Sequence, residues 1–420
     1  MPCLSTRLRL PSVGYRQPMW KRRSHGRQFA MDILISGGGI AGLTLAYRLH
    51  RLGHRPVVAE KVASLRGEGY MMDFFGPGYD VSEKMGLLPD LEKIHYQIPR
   101  LAFVDSNGNE KFSVDYAAVR KLFNGRHFNF MRGDLERVLY SRVKDDVEVR
   151  FATTVGAFDQ DAQRVQVRFR DGTTDSFDLL VGADGVHSHV RALAFGPEPN
   201  FMRFLGYDTA AFILDQPPQA LHDRAAFYTL TEPRRQAAIY PIRGNRLATF
   251  FVHKSARPPG DFCVESARQE LHAAYRGMGW IVPELLERSE QVAGLYFDAV
   301  TQIEMPTWSL GRVVLVGDAC QCVSLIAGQG ASMAMAGAYI LAQALAEARD
   351  DVAGALARYE QQIKPDIEEK QRAGRSMARW FVPEDRAHLA VRDLFLRATG
   401  WPLASRFLRN QFALGGGVKI

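Results

Sequence analysis

The chain has 420 residues, 46% of them hydrophobic and 24% charged, which is enough to bury a large core in two or more domains. Its formal charge of +7 arises before residue 31, because residues 1–30 carry seven Arg and Lys and no Asp or Glu. Subtracting these seven from the 53 basic residues leaves 46, which equals the 46 acidic residues. This balance excludes a general basic surface, and we predict no nucleic-acid partner.

Residues 1–30 are rich in Arg, as organellar transit peptides are, and lack the long apolar core of a secretory signal. A start codon assigned too far upstream explains the same segment, since Met31 opens the first predicted strand, and we favour that interpretation. We expect a basic leader that is disordered or not native. We predict no integral membrane segment: the nearest candidate, 331–346, carries Ser332 and Gln343 and is typical of a buried helix.

The cysteines indicate neither a disulfide framework nor a zinc site. Of Cys3, Cys263, Cys320 and Cys322, the last two are one residue apart and have no His or Cys pair nearby. We expect structural thiols in a reducing, cytoplasmic compartment, no bound metal, and a monomer or homodimer.

The stretch from Met31 to Glu60 has the pattern of a strand, a glycine turn, a helix, a strand and an acid. Gly37 permits a tight turn, Gly39 lets backbone amides approach a pyrophosphate, and Gly42 lets the helix pack close to the strand. Glu60 is placed to accept hydrogen bonds from a ribose 2′-hydroxyl. Together these features predict a dinucleotide site, although they do not distinguish NAD from FAD.

After Glu60, a glycine-punctuated loop at 66–70 leads into a strand that we expect to pass close to a bound ligand. The further predicted elements, in chain order, are helical spacing over 79–94 with a break at Pro89, a hairpin around Asn107-Gly108, a helix from Arg132 to about Lys144, strands at 147–151, 165–169 and 178–181, aromatic strands between 201 and 254, a helix near 264–278, strands at 295–305 and 312–316, helices at 330–349 and 352–379 with a kink at Pro365, and one or two helices in the last forty residues.

Two more glycine-containing motifs follow the first. One is Asp178–Arg191, around Asp184-Gly185, and the other is Gly311–Ala319, around Gly317-Asp318, which precedes Gly328–Ala331. In this order the three fingerprints resemble the class A FAD-dependent aromatic hydroxylases, which have the p-hydroxybenzoate hydroxylase fold. The resemblance runs from Met31 to about residue 375 and implies that the dinucleotide is FAD.

The resemblance implies an α/β fold with a Rossmann-like FAD-binding domain (GR2/PHBH type), an interleaved antiparallel-sheet substrate domain and C-terminal helices. We expect the FAD-binding domain to comprise 31–100, 130–200 and 295–375, the substrate domain 101–129 and 201–294, and the C-terminal helices 376–420. Three segments resemble the branch that includes tetracycline-inactivating monooxygenases, namely Arg132–Leu135, Tyr296–Ile303 and Gly337–Ala342.

Roles follow from matching positions. Arg132 matches an arginine near the flavin's ribityl and phosphate region, and Asp318 matches the acid that bonds the ribityl chain. Asp184 and Gly185 match a motif shared between FAD and reduced nicotinamide. The helix N-terminus at Gly328–Ala331 would lie under the flavin, where backbone amides stabilise its anionic forms. The predicted cofactor-binding residues are Gly37, Gly39, Ile40, Ala41, Gly42, Glu60, Lys61, Arg132, Asp184, Gly185, Asp318, Gly328, Gly330, Ala331 and Ser332.

The implied reaction uses NAD(P)H and O2 to form a C4a-hydroperoxyflavin, which hydroxylates an aromatic or polycyclic small molecule of phenolic, polyketide or tetracycline-like character. No catalytic side chain is assigned, because the flavin carries the chemistry. We interpret His187 and His189 as helix-entry residues outside the pocket. Aromatic residues of the second domain are predicted to line the substrate pocket, namely Tyr207, Phe212, Tyr228 and Tyr240.

One departure from the family and three alternatives stay open. The loop before Gly328 usually contains one or two prolines, and here Val323 and Leu325 stand in that stretch, which loosens the backbone. A flavin-binding protein without turnover would fit that change. A flavin-dependent halogenase is disfavoured because Gly279–Pro283 contains a single tryptophan. The third alternative is an FAD-dependent reductase acting on lipid or prenyl chains.

Overall fold

The computed structural model describes residues 30–65, 69–221, 225–256, 263–292, 294–348, 350–397 and 420. Cys3, nearly all of the predicted basic leader and the predicted helical segment between 398 and 419 lie outside the described residues. No helix in the described part of the chain is long and apolar enough to cross a membrane.

Strands and helices alternate through the first third of the chain, and strands dominate its middle. The strands are β1 (Asp32–Ser36), β2 (Arg55–Ala59), β3 (Met71–Phe75), β4 (Arg100–Val104), β5 (Glu110–Asp115), β6 (His127–Met131), β7 (Glu148–Arg150), β8 (Val155–Gln160), β9 (Val165–Phe169), β10 (Thr174–Phe177), β11 (Leu179–Gly182), β12 (Met202–Ala211), β13 (Ile213–Leu214), β14 (Phe227–Glu232), β15 (Arg235–Ile242), β16 (Arg246–Lys254), β17 (Tyr296–Ile303), β18 (Ser309–Leu310) and β19 (Val313–Leu315). The helices are α1 (Ile40–Arg51), α2 (Pro77–Lys84), α3 (Leu88–Ile94), α4 (Tyr116–Leu122), α5 (Arg132–Ser141), α6 (His189–Phe195), α7 (Val264–Tyr275), α8 (Val282–Ser289), α9 (Asp318–Gln321), α10 (Gly330–Glu347), α11 (Val352–Phe381) and α12 (Arg386–Arg397).

A parallel sheet places the three glycine motifs side by side. Its strand order is β18-β19-β11-β1-β2-β7, and β18 alone runs antiparallel to its neighbour. Ile33, Leu34 and Ile35 of β1 are fully buried, as in parallel strands covered on both faces. The motifs follow the carboxyl ends of β1, β11 and β19, which are adjacent strands, and this edge is where ligands bind in such sheets.

A second, mostly antiparallel sheet has the order β17-β12-β16-β15-β14-β4-β5, with β13 paired to β16. The pair β14–β4 is its parallel exception. The aromatic strands predicted between 201 and 254 are therefore present as one sheet with its own apolar core. Strand β17, which the sequence analysis grouped with the FAD-binding domain, is hydrogen-bonded to β12 and extends this sheet. The predicted domain boundaries stay a prediction.

Several local expectations differ from the structure. The helical segment predicted over 79–94 is interrupted at residues 85–87, between α2 and α3, and not at Pro89. Pro89 lies in the first turn of α3, where its missing N–H is harmless. Strand β8 and helix α8 were not predicted. Helix α11 contains Pro365 and is one continuous helix of 30 residues. Gly330 begins α10, as predicted, and most of this helix is buried in the main core.

Candidate active site

A cavity of about 1530 Å³ lies at the edge of the parallel sheet where the glycine motifs meet. Its wall combines the three glycine loops with residues from β3, from the second sheet and from α12. Pockets for one drug-sized molecule measure roughly 300–1,000 Å³. The cavity is therefore large enough for a dinucleotide and a second molecule together.

The first glycine loop is packed so tightly that two of its glycines admit no side chain. Gly37 has φ +115°, and a Cβ on it would lie 2.3 Å from the carbonyl oxygen of Ala183. A Cβ on Gly42 would lie 1.9 Å from the carbonyl oxygen of Gly37. Gly42 thus lets α1 begin directly against the turn, and it does so behind the cavity wall rather than on it.

Glu60 holds the glycine loop to the end of β2. Its Oε2 accepts a hydrogen bond from the Gly38 amide (2.6 Å), and its Oε1 accepts one from the Val62 amide (3.0 Å). Glu60 and Lys61 both line the cavity. A ribose hydroxyl bound to Glu60 would have to share or replace one of these backbone donors.

Arg132 and Asp318 bring opposite charges to the cavity. Arg132 begins α5 and pairs with Glu136 (3.0 Å), and its Nη2 lies 3.7 Å from where a Cβ on Gly39 would be. Burial lowers the pKa of Arg132, but the negative charge of Glu136 and its other neighbours outweighs burial and the pKa is raised. Burial raises the pKa of Asp318, against the opposing charge of Arg132. Gly330 lies beside the same carboxylate.

Asp184 caps helix α6. Its carboxylate accepts hydrogen bonds from the Ser188 hydroxyl and from the amides of His189 (2.8 Å) and Val190 (3.0 Å). Burial raises the pKa of Asp184, while these hydrogen bonds act against the rise. Gly185 follows with φ +83° and open space where a Cβ would be, so the backbone itself forms the cavity wall.

Arg191 connects the second and third glycine motifs. Its side chain is fully buried and donates to the carbonyl oxygens of Val186 (2.7 Å) and Ala319 (2.9 Å). It also donates to Glu198 (2.7 Å). One guanidinium therefore ties the loop after β11 to the loop after β19.

The interpretation of His187 and His189 is half right. Both precede or begin α6, as expected, but both also line the cavity. His187 is bonded to Glu198 (3.0 Å) and to Asp298 (3.4 Å). The hydrogen bond to Asp298 raises the pKa of His187 to about 9, with a smaller contribution from Glu198 and against the effect of burial. The expectation that both histidines lie outside the pocket is wrong; for His187 the cause is that β17 of the second sheet brings Asp298 to this loop.

The structure gathers most of the predicted residues around one cavity. The predicted cofactor residues on its wall are Gly37, Gly39, Ile40, Ala41, Glu60, Lys61, Arg132, Asp184, Gly185, Asp318, Gly328, Gly330 and Ala331. Ser332 is buried in α10 behind that wall. Of the predicted substrate residues, Phe212 and Tyr240 line the cavity, and the Tyr240 hydroxyl accepts a hydrogen bond from the Met71 amide (2.9 Å).

Tyr207 and Tyr228 do not lie on the cavity wall. Tyr207 packs with Val252 and Val300 in a separate apolar cluster. Tyr228 contacts Trp280, with ring centroids 5.9 Å apart. Successive side chains of a strand point to opposite faces of the sheet, and these two tyrosines point away from the cavity.

Several cavity residues were missed by the sequence analysis. Tyr70 and Tyr296 face each other with ring centroids 5.5 Å apart, and burial raises the pKa of Tyr70 to about 12. Asp73 lines the same cavity, as do Arg392 and other residues of α12. The segment around Asp73 carried a signal, because it was expected to pass close to a ligand, whereas α12 carried none.

The loop that lacks prolines has a conformation that excludes one at its centre. Ser324 has φ +90° and ψ 151°, and its neighbours 325–327 form a 3₁₀ turn. Proline fixes φ near −65°, so it cannot occupy position 324 in this loop. The Ser324 hydroxyl is buried and makes no hydrogen bond within the described residues.

The residues present fit an FAD molecule. Gly185 and Gly328 have positive φ values and open space where a Cβ would be, so their backbone can contact a ligand directly. Among the residues that line the cavity, Glu60 would offer a carboxylate to a ribose, Arg132 a cation to phosphate, and Asp318 a carboxylate to hydroxyl groups. Fold and cavity together define an α/β dinucleotide-binding flavoprotein.

Comparison with known proteins agrees with this class. A family model described as an FAD binding domain matches residues 30–369, and the chain belongs to that family. An uncharacterised protein of Mycobacterium tuberculosis (strain H37Rv) is 35% identical over 344 residues, which is 81% of this chain and 91% of the relative. A flavin-dependent monooxygenase from an unknown prokaryotic organism is 30% identical over 359 residues, with coverage of 84% and 91%.

The solved structure of tetracycline destructase Tet(55) is also similar, with a TM-score of 0.78 and 28% identity, covering 88% of this chain and 96% of that one. The predicted fold class is confirmed, and so is the predicted enzyme class. The chain is an FAD-dependent monooxygenase.

Proposed function

We propose that this protein uses NAD(P)H and O2 to hydroxylate an aromatic or polycyclic small molecule. The observation that carries the proposal is that one continuous cavity holds both the glycine loops and an aromatic end, which includes Phe212, Phe227 and Tyr240. FAD supplies the oxygen-activating chemistry when it is bound. The protein binds it, orients the substrate and excludes water.

Each part of the cavity has a task in this proposal. Glu60 would hold the adenosine ribose, and Arg132 would balance phosphate charge at the first glycine loop. Asp318 would bond hydroxyl groups of the cofactor, and the amides at the start of α10 would stabilise negative charge on it. Asp184 and Gly185 shape the entrance that a reduced nicotinamide would use.

The named relatives support the choice of substrate class. Flavin-dependent monooxygenases and a tetracycline destructase are similar to this chain over most of their own lengths. We therefore extend the substrate range from simple phenols to polycyclic compounds such as polyketides and tetracyclines. The aromatic rings near the flavin end, including the Tyr70–Tyr296 pair, would pack against such a planar molecule.

The test is substrate-stimulated NADPH and NADH oxidation by the FAD-loaded protein across an aromatic library that includes tetracyclines. We expect at least one compound to stimulate oxidation together with O2 uptake, and to gain one oxygen atom by mass. A product that gains a halogen or two hydrogens would indicate a halogenase or a reductase. Absence of stimulation by every compound, with flavin fully bound, would support a flavin-binding protein without turnover.

A further inference from the structure

A carboxylate stands at the aromatic end of the cavity. Asp73 lies on β3, opposite Asn129 of β6, and lines the cavity with its side chain 55% exposed. His127, also on β6, is fully buried behind it, with Nε2 3.0 Å from Asp73 Oδ1. Tyr116 begins α4 and also lines the cavity.

The two oxygens of this carboxylate are used unequally. Oδ1 accepts hydrogen bonds from the Tyr116 hydroxyl (2.7 Å) and from His127 Nε2. When the side-chain amide of Asn129 is flipped, so that its oxygen and nitrogen exchange places, its nitrogen also donates to Oδ1 (2.8 Å). Oδ2 has no donor among the described residues, and no described lysine or arginine forms an ion pair with Asp73. The open oxygen faces a cavity with largely apolar walls, so a donor on a ligand would complete its hydrogen bonding.

The Asp73 carboxylate is the anionic group of this cluster. Burial raises the pKa of Asp73, but the interactions with His127 and the hydrogen bond from Tyr116 outweigh burial and lower it. The carboxylate is therefore ionised at neutral pH.

Aromatic rings line the same cavity as Asp73 and pack on its partner His127. The rings of Phe75 and Phe123 lie 4.3 Å apart, and Phe123 stacks on His127 at 4.9 Å. Phe75, Phe123 and Phe103 all line the cavity. Aromatic faces combined with a carboxylate favour a cation over a neutral donor.

Two of the protein's own cations on the cavity wall are engaged elsewhere, and a third, Arg120 of α4, acts electrostatically on Tyr116 without an ion pair to Asp73 among the described residues. Arg392 lies over Phe103 (5.7 Å), but its guanidinium donates to Asp393 (2.8 Å). Arg132, on the cofactor side, pairs with Glu136. Neither cation is ion-paired with the Asp73 carboxylate.

We propose that Asp73, held by Tyr116 and His127, recognises a protonated amine on the substrate, so that the substrate is an aromatic or polycyclic compound with a basic nitrogen. This inference rests on the proposed function and narrows its substrate class. A phenolic hydroxyl could fill the same hydrogen bond, but it would bring no positive charge to the carboxylate.

The test compares two probes of similar shape, 2-(2-naphthyl)ethylammonium and 2-(2-naphthyl)ethanol, on FAD-loaded protein without NADPH. Binding is measured by isothermal titration calorimetry and by perturbation of the flavin absorbance. We expect the ammonium to bind roughly tenfold to hundredfold more tightly to the wild-type protein, as for a charge-assisted hydrogen bond in a partly desolvated site. Asp73→Asn, which keeps the side-chain shape, should abolish this preference.

Two further variants make the result specific. Tyr116→Phe removes one donor to Oδ1 and should change the preference only several-fold, whereas Asp366→Asn, on α11 outside the cavity, should leave it unchanged. Far-UV circular dichroism and FAD content establish that each variant is folded. If Asp73→Asn fails to fold, the wild-type comparison of the two probes and the Tyr116→Phe variant decide the question.

Equal binding of both probes, no binding of either at millimolar concentration, or a preference that survives in Asp73→Asn would overturn the inference. These outcomes are distinct from failure of the proposed function. Amine preference without oxygenation of any compound sinks the monooxygenation proposal alone. Hydroxylation of neutral aromatics without amine preference sinks only the role of Asp73.

Discussion

Replacing Ser324 by glycine should stabilise the protein. Ser324 has φ +90° and ψ 151°, a combination in which glycine is the residue without strain, and it carries a buried hydroxyl with no described partner. Glycine removes both penalties at once. Alanine removes only the hydroxyl, and proline would force φ to a value that the loop does not have.

The expected size follows from these terms. Backbone strain of this kind costs about 1–3 kcal/mol, and an unpaired buried hydroxyl costs about 1–3 kcal/mol. Two effects reduce this gain. Glycine lowers stability by about 0.5–1 kcal/mol because it has more conformational freedom in the unfolded chain, and the packing contacts of the serine side chain are lost. A net gain of about 2 kcal/mol is therefore reasonable. With an unfolding entropy of about 2.1 cal/mol/K per residue, this gain corresponds to about 2 °C in Tm for a chain of this length unfolding as one unit.

The assay is urea unfolding at saturating FAD, followed by circular dichroism and by flavin release. The expected order of stability is Ser324→Gly, then Ser324→Ala, then the wild type, and last Ser324→Pro. If glycine is no better than alanine, the backbone at this position is not strained. Tolerance of proline would refute the loop conformation itself and restore the view that missing prolines merely loosen the loop.

Three other predictions test the site. Gly37→Ala should abolish stable FAD binding because its Cβ would collide with a backbone carbonyl 2.3 Å away. The control is Gly172→Ala, which has a similar positive φ of +87° but open space at the Cβ position and should be only mildly destabilising. Equal effects of the two variants on FAD content would argue against the collision. The pKa of His187 is raised to about 9 from 6.5, so its ion pairs should contribute stability that is complete below pH 6.5 and lost as the pH rises through 9. The difference in unfolding free energy between the wild type and His187→Gln should therefore shrink over that pH range. A difference that stays constant with pH would contradict the ion pairs. Asp318→Ala should sharply weaken FAD retention while Asp366→Ala should not; a yellow, stoichiometric Asp318→Ala protein would show that Asp318 does not hold the ribityl chain.

The parts of the site that follow from local sequence were predictable. The strand, turn and helix at Met31–Glu60 depend on glycines and apolar spacing within a short stretch, and they occur in the structure as β1, α1 and β2. The motif around Gly317-Asp318 also follows a buried strand, β19, as predicted. Both depend on steric rules that act between near neighbours in the chain.

The substrate end was less predictable because tertiary packing builds it. A bulge between Phe204 and Asp208 shifts the register of β12, so the face of Tyr207 cannot be counted along the strand. Tyr116 and His127 meet Asp73 across separations of 43 and 54 residues. Such a cluster appears only once β3, β6 and α4 are in place.

The buried bridge made by Arg191 has a consequence for how the enzyme responds to change. Since one guanidinium donates to the carbonyls of Val186 and Ala319, a displacement of one loop is transmitted to the other. A substitution in one loop should therefore also change how the other loop binds its ligand. The effects of two substitutions, one in each loop, should be strongly non-additive. A change that improves affinity at one loop should then also affect affinity at the other loop, without a new contact there.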